Sequence, residues 1–219
     1  MKITLITGAA RSGTSMVAGC IDKCGAFGGI TSPPNPNNKK GMFENSDIRG
    51  KVVKSYLRRH GFDPKAQWPI PVNLNEIAPF PALRRRVLEI LETQGWDGEQ
   101  PLYYKGAKMC LLWPIWVRAF PEAQWIIVRR PDEQIIDSCK RTFFMNRYNN
   151  AEGWQGWIDI HKQRWEEMYI TGLKIKEVWS TEVVKDPLVM KDVVQWAGLQ
   201  FNEEAVRDFI EPKLFNKGL

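Results

Sequence analysis

At 219 residues the chain can bury a sizeable core, and 43% apolar with 26% charged residues is an ordinary soluble globular composition. The net charge of +6 fits an anionic partner, but the cations are scattered as Lys39-Lys40, Arg58-Arg59, Arg84 to Arg86, Arg129-Arg130 and Lys140-Arg141. A solvated basic surface accounts for that pattern equally well, and it offers no basic arm for nucleic acid. Cys20, Cys24, Cys110 and Cys139 show no paired metal-ligand spacing, which argues against a zinc site and for reduced thiols in the cytoplasm.

The apolar run Ile3 to Thr7 lacks polar alternation and predicts a buried strand; it is too short for a leader peptide or a membrane span. Thr14 to Cys24 follows as a helix, with Met16, Val17, Cys20, Ile21 and Cys24 on one face. The Pro/Asn/Gly-dense stretch from Gly28 to Asn45 predicts loop, and helical spacing resumes from Asp47 to His60. The proline-rich residues 61 to 80 are irregular and form a candidate lid or acceptor-side insertion. Pro81 opens an amphipathic helix through Leu83, Val87, Leu88 and Leu91, and Leu102 to Lys105 is a short strand. Cys110 to Phe120 is helical despite Pro114; Trp125 to Val128 is a second buried strand. Asp132 to Met145 is a helix with Ile135, Ile136, Cys139 and Phe143 inward. Gly153 to Leu173 predicts a longer helix, Val178-Trp179 a further strand, and Pro187 to Trp196 and Asn202 to Ile210 the closing helices. Strands alternating with helices, with no repeat and no boundary, imply one α/β domain over 1–219 with a mainly parallel sheet.

The chemistry concentrates at "GAARSGTS", Gly8 to Ser15, between the first strand and first helix. Unpaired N–H groups and the helix dipole make such a junction an anion site. Gly8 and Gly13 allow close backbone approach, Thr14 and Ser15 add hydroxyls, and Arg11 adds one full positive charge. The lysine that grips β- and γ-phosphates in a nucleotide triphosphatase is absent, so a smaller anion held without metal fits better. The strand "WIIVRR" ends in Arg129-Arg130, where a Walker B strand would end in Asp. Arginine there faces the ligand crevice of an open α/β sheet and suits a terminal phosphate, or it serves as a surface ion-pair partner.

The Gly8–Ser15 loop and the Arg130…Ser138 segment together resemble the sulfotransferase family that uses 3′-phosphoadenosine 5′-phosphosulfate (PAPS) and releases 3′-phosphoadenosine 5′-phosphate (PAP). "NPNNKKGMFEN", "YYKGAKMCLLWPIWVRAFPEAQWIIVRRP" and the tail "VVKDPLVMKDVVQWAGLQFNEEAVRDFIEPKLF" are similar to further segments of its bacterial-type members, so the likeness covers most of the chain. It implies a P-loop-type three-layer fold, a donor site of Ala10, Arg11, Ser12, Gly13, Thr14, Ser15, Arg130 and Ser138, and no metal. Arg129 and Arg130 remain alternatives for the 3′-phosphate, with the eight-residue spacing to Ser138 favouring Arg130. The family's Lys-Asp-Pro-Arg is here Lys105-Gly106-Ala107-Lys108, and neither His60 nor His161 matches the catalytic histidine of the animal cytosolic branch.

Sulfuryl transfer needs a base for the acceptor and cations for the oxygens of the reacting group. Arg11, Thr14 and Lys105 are candidates for the second task, and Glu44 for the first unless it anchors Lys39 or Lys40. The expected acceptor is a small molecule, glycan or lipid carrying a hydroxyl or amine. Trp154, Trp157 and Trp165 at near-helical spacing read as core, whereas Trp68 and Trp96 are acceptor-site candidates. A small-molecule kinase and a non-catalytic anion binder on the same fold are the alternative functions.

Overall fold

The computed structural model describes residues 1–215. Its centre is a sheet of four parallel strands. The first, β1 (Ile3–Thr7), leads through the Gly8–Gly13 turn into α1 (Thr14–Lys23). After a loop, the chain winds as a π-helix (Ile48–Lys54) that continues into α2 (Ser55–Arg59). α3 (Leu83–Thr93) precedes β2 (Leu102–Lys105), and a 3-10 turn (Ala107–Leu112) runs into α4 (Trp113–Ala119). β3 (Gln124–Arg129), α5 (Asp132–Lys140) and α6 (Ala151–Tyr169) lead to β4 (Ile175–Trp179). α7 (Ser180–Lys185), α8 (Val189–Trp196), α9 (Glu203–Phe209) and the single turn α10 (Pro212–Phe215) follow.

Strand order is β2-β1-β3-β4, with Ile6 opposite Lys105 and Thr7 opposite Ile127. Successive strand residues feed two separate cores. Leu5, Tyr104, Trp125 and Ile127 pack with the π-helix, α2 to α6 and their neighbours; Ile6, Tyr103, Ile126 and Val128 pack with α1 and α7 to α9. Burial on both faces is why β1 and β3 show no polar alternation, and the result is the expected three-layer α/β fold.

Pro114 lies in the first turn of α4, where its missing N–H has no intrahelical duty, so the helix begins at it rather than surviving it. The segment from 47 to 60 is helical, but its first half is wound with i→i+5 bonds, a form single-sequence periodicity does not distinguish. α5 stops at Lys140, five residues earlier than the spacing predicts, and Phe143 is 87% exposed rather than inward. The Thr142 hydroxyl donates to the Ser138 carbonyl at 2.7 Å as the helix ends. Residues 61–80 hold one 3-10 turn (Leu74–Glu76), yet Ala66, Ile70 and Ile77 are buried in the larger core. Trp154, Trp157 and Trp165 are buried, as the helical spacing predicts.

Candidate active site

β1 lies at the centre of the sheet with its chain continuations on opposite sides, β2 to one and β3 to the other. In a parallel sheet that reversal opens a crevice at the carboxyl ends of the strands. Three predicted elements meet there: the loop after β1, Lys105 at the end of β2, and Arg129-Arg130 at the end of β3.

The loop is shaped by backbone geometry. Gly13 takes φ 97° as the residue preceding α1, and Arg11 takes φ 74°, a left-handed conformation uncommon outside glycine that costs of order 1–3 kcal/mol. Gly8 is confined because an added Cβ would lie 2.5 Å from the Val128 carbonyl oxygen. Thr14 and Ser15 begin α1, so their N–H groups have no intrahelical acceptor and face outward with the positive end of the dipole.

A cavity of about 380 Å³ opens over this helix terminus. Gly13, Thr14 and Ser15 form its floor, Arg11, Arg130, Ser138 and Arg141 one wall, and residues 36–41 the other. The Arg11 Nε donates to Ser138 Oγ at 2.9 Å, which ties the two predicted phosphate segments together across 127 residues of chain. Arg11 Nη1 reaches the Asn37 carbonyl at 3.3 Å, and Asn38 Nδ2 donates to Ser15 Oγ at 2.9 Å. Arg130 Nη1 donates to the Arg11 carbonyl at 3.1 Å, and its Nε to Gln134 at 3.1 Å. Burial lowers the pKa of Arg11; burial, with Arg11 and Arg141 nearby, lowers Arg130 to about 10, which leaves Arg130 charged at neutral pH. Its charged lining is Arg11, Lys39, Lys40, Arg130 and Arg141 against Glu211. This is a donor set for an anionic group.

Several sequence expectations are sorted by this geometry. Arg129 turns away: it pairs with Glu177 at 2.9 Å and lies over the rings of Trp165 and Trp179. Arg130, by contrast, borders the cavity beside Ser138. Ala10 and Ser12 are not among the lining residues; Ser12 is buried, its hydroxyl 2.8 Å from where a Cβ on Gly8 would stand. Lys40 anchors elsewhere, donating to the Phe209 carbonyl at 2.7 Å and pairing with Glu211 at 3.4 Å. Trp96 is tied back to the Gln100 carbonyl, and Trp68 stands 46% exposed. Arg141, Asn37 and Asn38 were missed by sequence reasoning. Arg141 follows Ser138 by three residues, one helical turn, and that spacing was its available signal.

Glu44 and Lys105 form a second group outside this lining. Each is 4% exposed, and Lys105 Nζ stands 3.9 Å from the Glu44 carboxylate. Phe43, at φ 49°, turns the chain just before Glu44, whose carbonyl accepts from the Ser32 N–H at 3.0 Å. Thr7 fixes the other partner: its hydroxyl donates to the Gly106 carbonyl at 3.0 Å and accepts from the Cys110 N–H at 3.2 Å. Burial lowers Lys105 to about 8 despite the opposing pull of Glu44, and Lys108, Arg49 and Arg11 add smaller depressions. A lysine poised near neutrality beside a buried carboxylate can stabilise developing negative charge while the carboxylate takes a proton. Among the described residues no group of three or more His, Cys, Asp or Glu is arranged to hold a metal ion.

No protein-family model and no curated protein matches the chain. Solved structures do. The sulfotransferase domain of the olefin synthase from Synechococcus PCC 7002 aligns with a TM-score of 0.61 at 14% identity, covering 98% of this chain and 86% of that one. Sulfotransferase STF1 from Mycobacterium tuberculosis H37Rv aligns at 0.57 and 13% identity, covering 95% and 70%. Sulfotransferase STF9 from Mycobacterium avium aligns at 0.58 and 13%, covering 95% and 67%. Likeness over nearly the whole chain at such low identity is a likeness of architecture, and by it this chain has the sulfotransferase fold.

Proposed function

We propose that the protein transfers a sulfuryl group from PAPS to a hydroxyl or amine of an acceptor molecule, releasing PAP. The observation that carries this reading is the Arg11–Ser138 hydrogen bond, which joins the helix-terminus loop and the arginine-ended strand around one cationic cavity. Arg11 and the N–H groups of Thr14 and Ser15 hold the 5′-phosphosulfate end; Arg130 and Ser138, with Arg141, hold the 3′-phosphate. The donor supplies an activated sulfuryl group, and the chain's own residues supply charge and a base. Glu44 accepts the proton of the acceptor, while Lys105 and Arg11 offset negative charge on the reacting oxygens and the departing phosphate. A kinase reading lacks the loop lysine and the acid at the end of β3. The four free cysteines, three of them buried, fit a reducing cytoplasm.

Incubation with radiolabelled PAPS and a panel of sugar, lipid and small-molecule acceptors tests the activity. Glu44→Gln is expected to abolish transfer while PAP affinity persists; because breaking a buried pair costs about 3–5 kcal/mol, the retained affinity also certifies the fold. Undiminished turnover in that variant removes Glu44 as the base.

A further inference from the structure

The Glu44–Lys105 pair lies in a surplus of positive charge that donor binding does not use. Arg49 and Lys54 stand on the π-helix, where i→i+5 bonding stacks residues five apart on one side; an α-helix would splay them. Lys108 is in the 3-10 turn that leaves β2, three residues after Lys105. All three are half-buried. The Arg49 N–H donates to the carbonyl of Asn45, the residue after Glu44, at 3.0 Å, and Glu44 in turn stands 3.9 Å from Lys105 Nζ. In keeping with that closeness, Lys108 and Arg49 depress the pKa of Lys54 beyond the effect of burial while Glu44 raises it, and both cations depress Lys105.

Glu44 is the one carboxylate whose charge acts on Lys54 among the described residues. Among the described residues, no ion pair joins Arg49, Lys54 or Lys108 to a carboxylate. The nearby Asp47 is engaged with Lys51 at 3.0 Å and with Gln94. Among the described residues the Arg49 guanidinium reaches only the Met42 sulfur, at 3.8 Å, and its Nε is buried with no acceptor. The Tyr104 hydroxyl, which feels both Glu44 and Arg49, is likewise buried and unpartnered, although its ring is fixed by stacking on Trp116. Four cations, Arg49, Lys54, Lys105 and Lys108, thus gather around the single carboxylate of Glu44. The orphaned Arg49 Nε and Tyr104 hydroxyl call for a partner, and the positive charge around them specifies an anion.

We infer that Arg49, Lys54 and Lys108 bind an anionic group of the acceptor, so that the molecule sulfated already carries a carboxylate, sulfate or phosphate near the hydroxyl or amine it offers to Glu44. This rests on the sulfuryl-transfer reading for the identity of the bound molecule; the anion site itself stands on the cluster. The arrangement holds the acceptor by a fixed charge and leaves Glu44 as the proton acceptor beside it. It also separates two anion sites, one over the α1 terminus and one beside the end of β2.

Calorimetric titration with sodium sulfate, at ionic strength held constant with sodium chloride, tests the site with and without saturating PAP. Wild-type protein is expected to bind sulfate in the presence of PAP, and Lys54→Gln/Lys108→Gln to weaken that binding at least tenfold with PAP affinity unchanged. Sulfate binding that PAP abolishes, that the double variant retains, or that wild type lacks overturns the inference. If PAP itself fails to bind, the donor assignment falls, while the comparison of wild type and double variant in sulfate alone still decides this site. In transfer assays, 4-nitrophenyl glucuronide is expected to outperform 4-nitrophenyl glucoside by tenfold or more, and the double variant to erase that preference.

Discussion

Lys105 shows how residue chemistry follows from position. Strand β2 ends inside the protein, so its last side chain is desolvated and its ammonium form is disfavoured, which lowers its pKa to about 8. A role that requires the charged form is therefore lost as pH rises through 8. Transfer is expected to fall about tenfold per pH unit beyond that point, measured at saturating donor and acceptor. A profile flat to pH 10 removes Lys105 from charge stabilisation. The same reasoning separates the adjacent arginines. Arg129 points to the aromatic pair Trp165 and Trp179 and to Glu177, whereas Arg130 is turned to the cavity. Spacing to Ser138 anticipated that division; the pairing of Glu44 with Lys105 rather than with Lys39 or Lys40 was beyond it. Sixty-one residues separate that pair, so no local spacing could signal it.

At the scale of elements, α1 is fixed at its start and along its middle. Its start is set by Gly13, and its middle by Gly19, where an added Cβ would meet the Phe209 ring of α9 at 2.2 Å. Gly19→Ala gains about 1 kcal/mol of helix propensity but forces overpacking that costs about 1–3 kcal/mol. We expect a net loss of about 1 kcal/mol, a fall in Tm of roughly 2–4 °C. Adding Phe209→Leu is expected to recover part of it, and a Tm that rises in the single variant contradicts the contact. Strands and most helices were legible because burial on one or both faces leaves a periodic trace, as at Ile3 to Thr7 and along Leu83, Val87 and Leu91. The i→i+5 winding of Ile48–Lys54 was not legible, since its apolar residues satisfy an α-helical spacing as well. Nor was the exposure of Phe143, which lies beyond a helix end set by local hydrogen bonding rather than by pattern.

At the scale of the whole molecule, stability is tied to a neutral histidine. His161 is fully enclosed in α6, its Nδ1 donates to the Trp157 carbonyl at 2.8 Å, and burial lowers its pKa to about 4. The unfolded chain, with a histidine pKa near 6.5, binds more protons between these values, so stability falls as pH drops from 7 toward 4. The expected loss is about 2 kcal/mol between pH 7 and pH 5, read from urea unfolding, and His161→Gln is expected to flatten it. An unchanged slope in that variant assigns the acid sensitivity elsewhere. The central claim concerns the cavity that joins the two halves of the sheet edge, and calorimetric titration with PAP tests it most directly. Binding without added metal, weakened at least tenfold by Arg130→Ala as expected for a lost charge-assisted contact worth about 1.5–3 kcal/mol, is the predicted result. No binding of PAP, or tighter binding of ATP with magnesium, contradicts it.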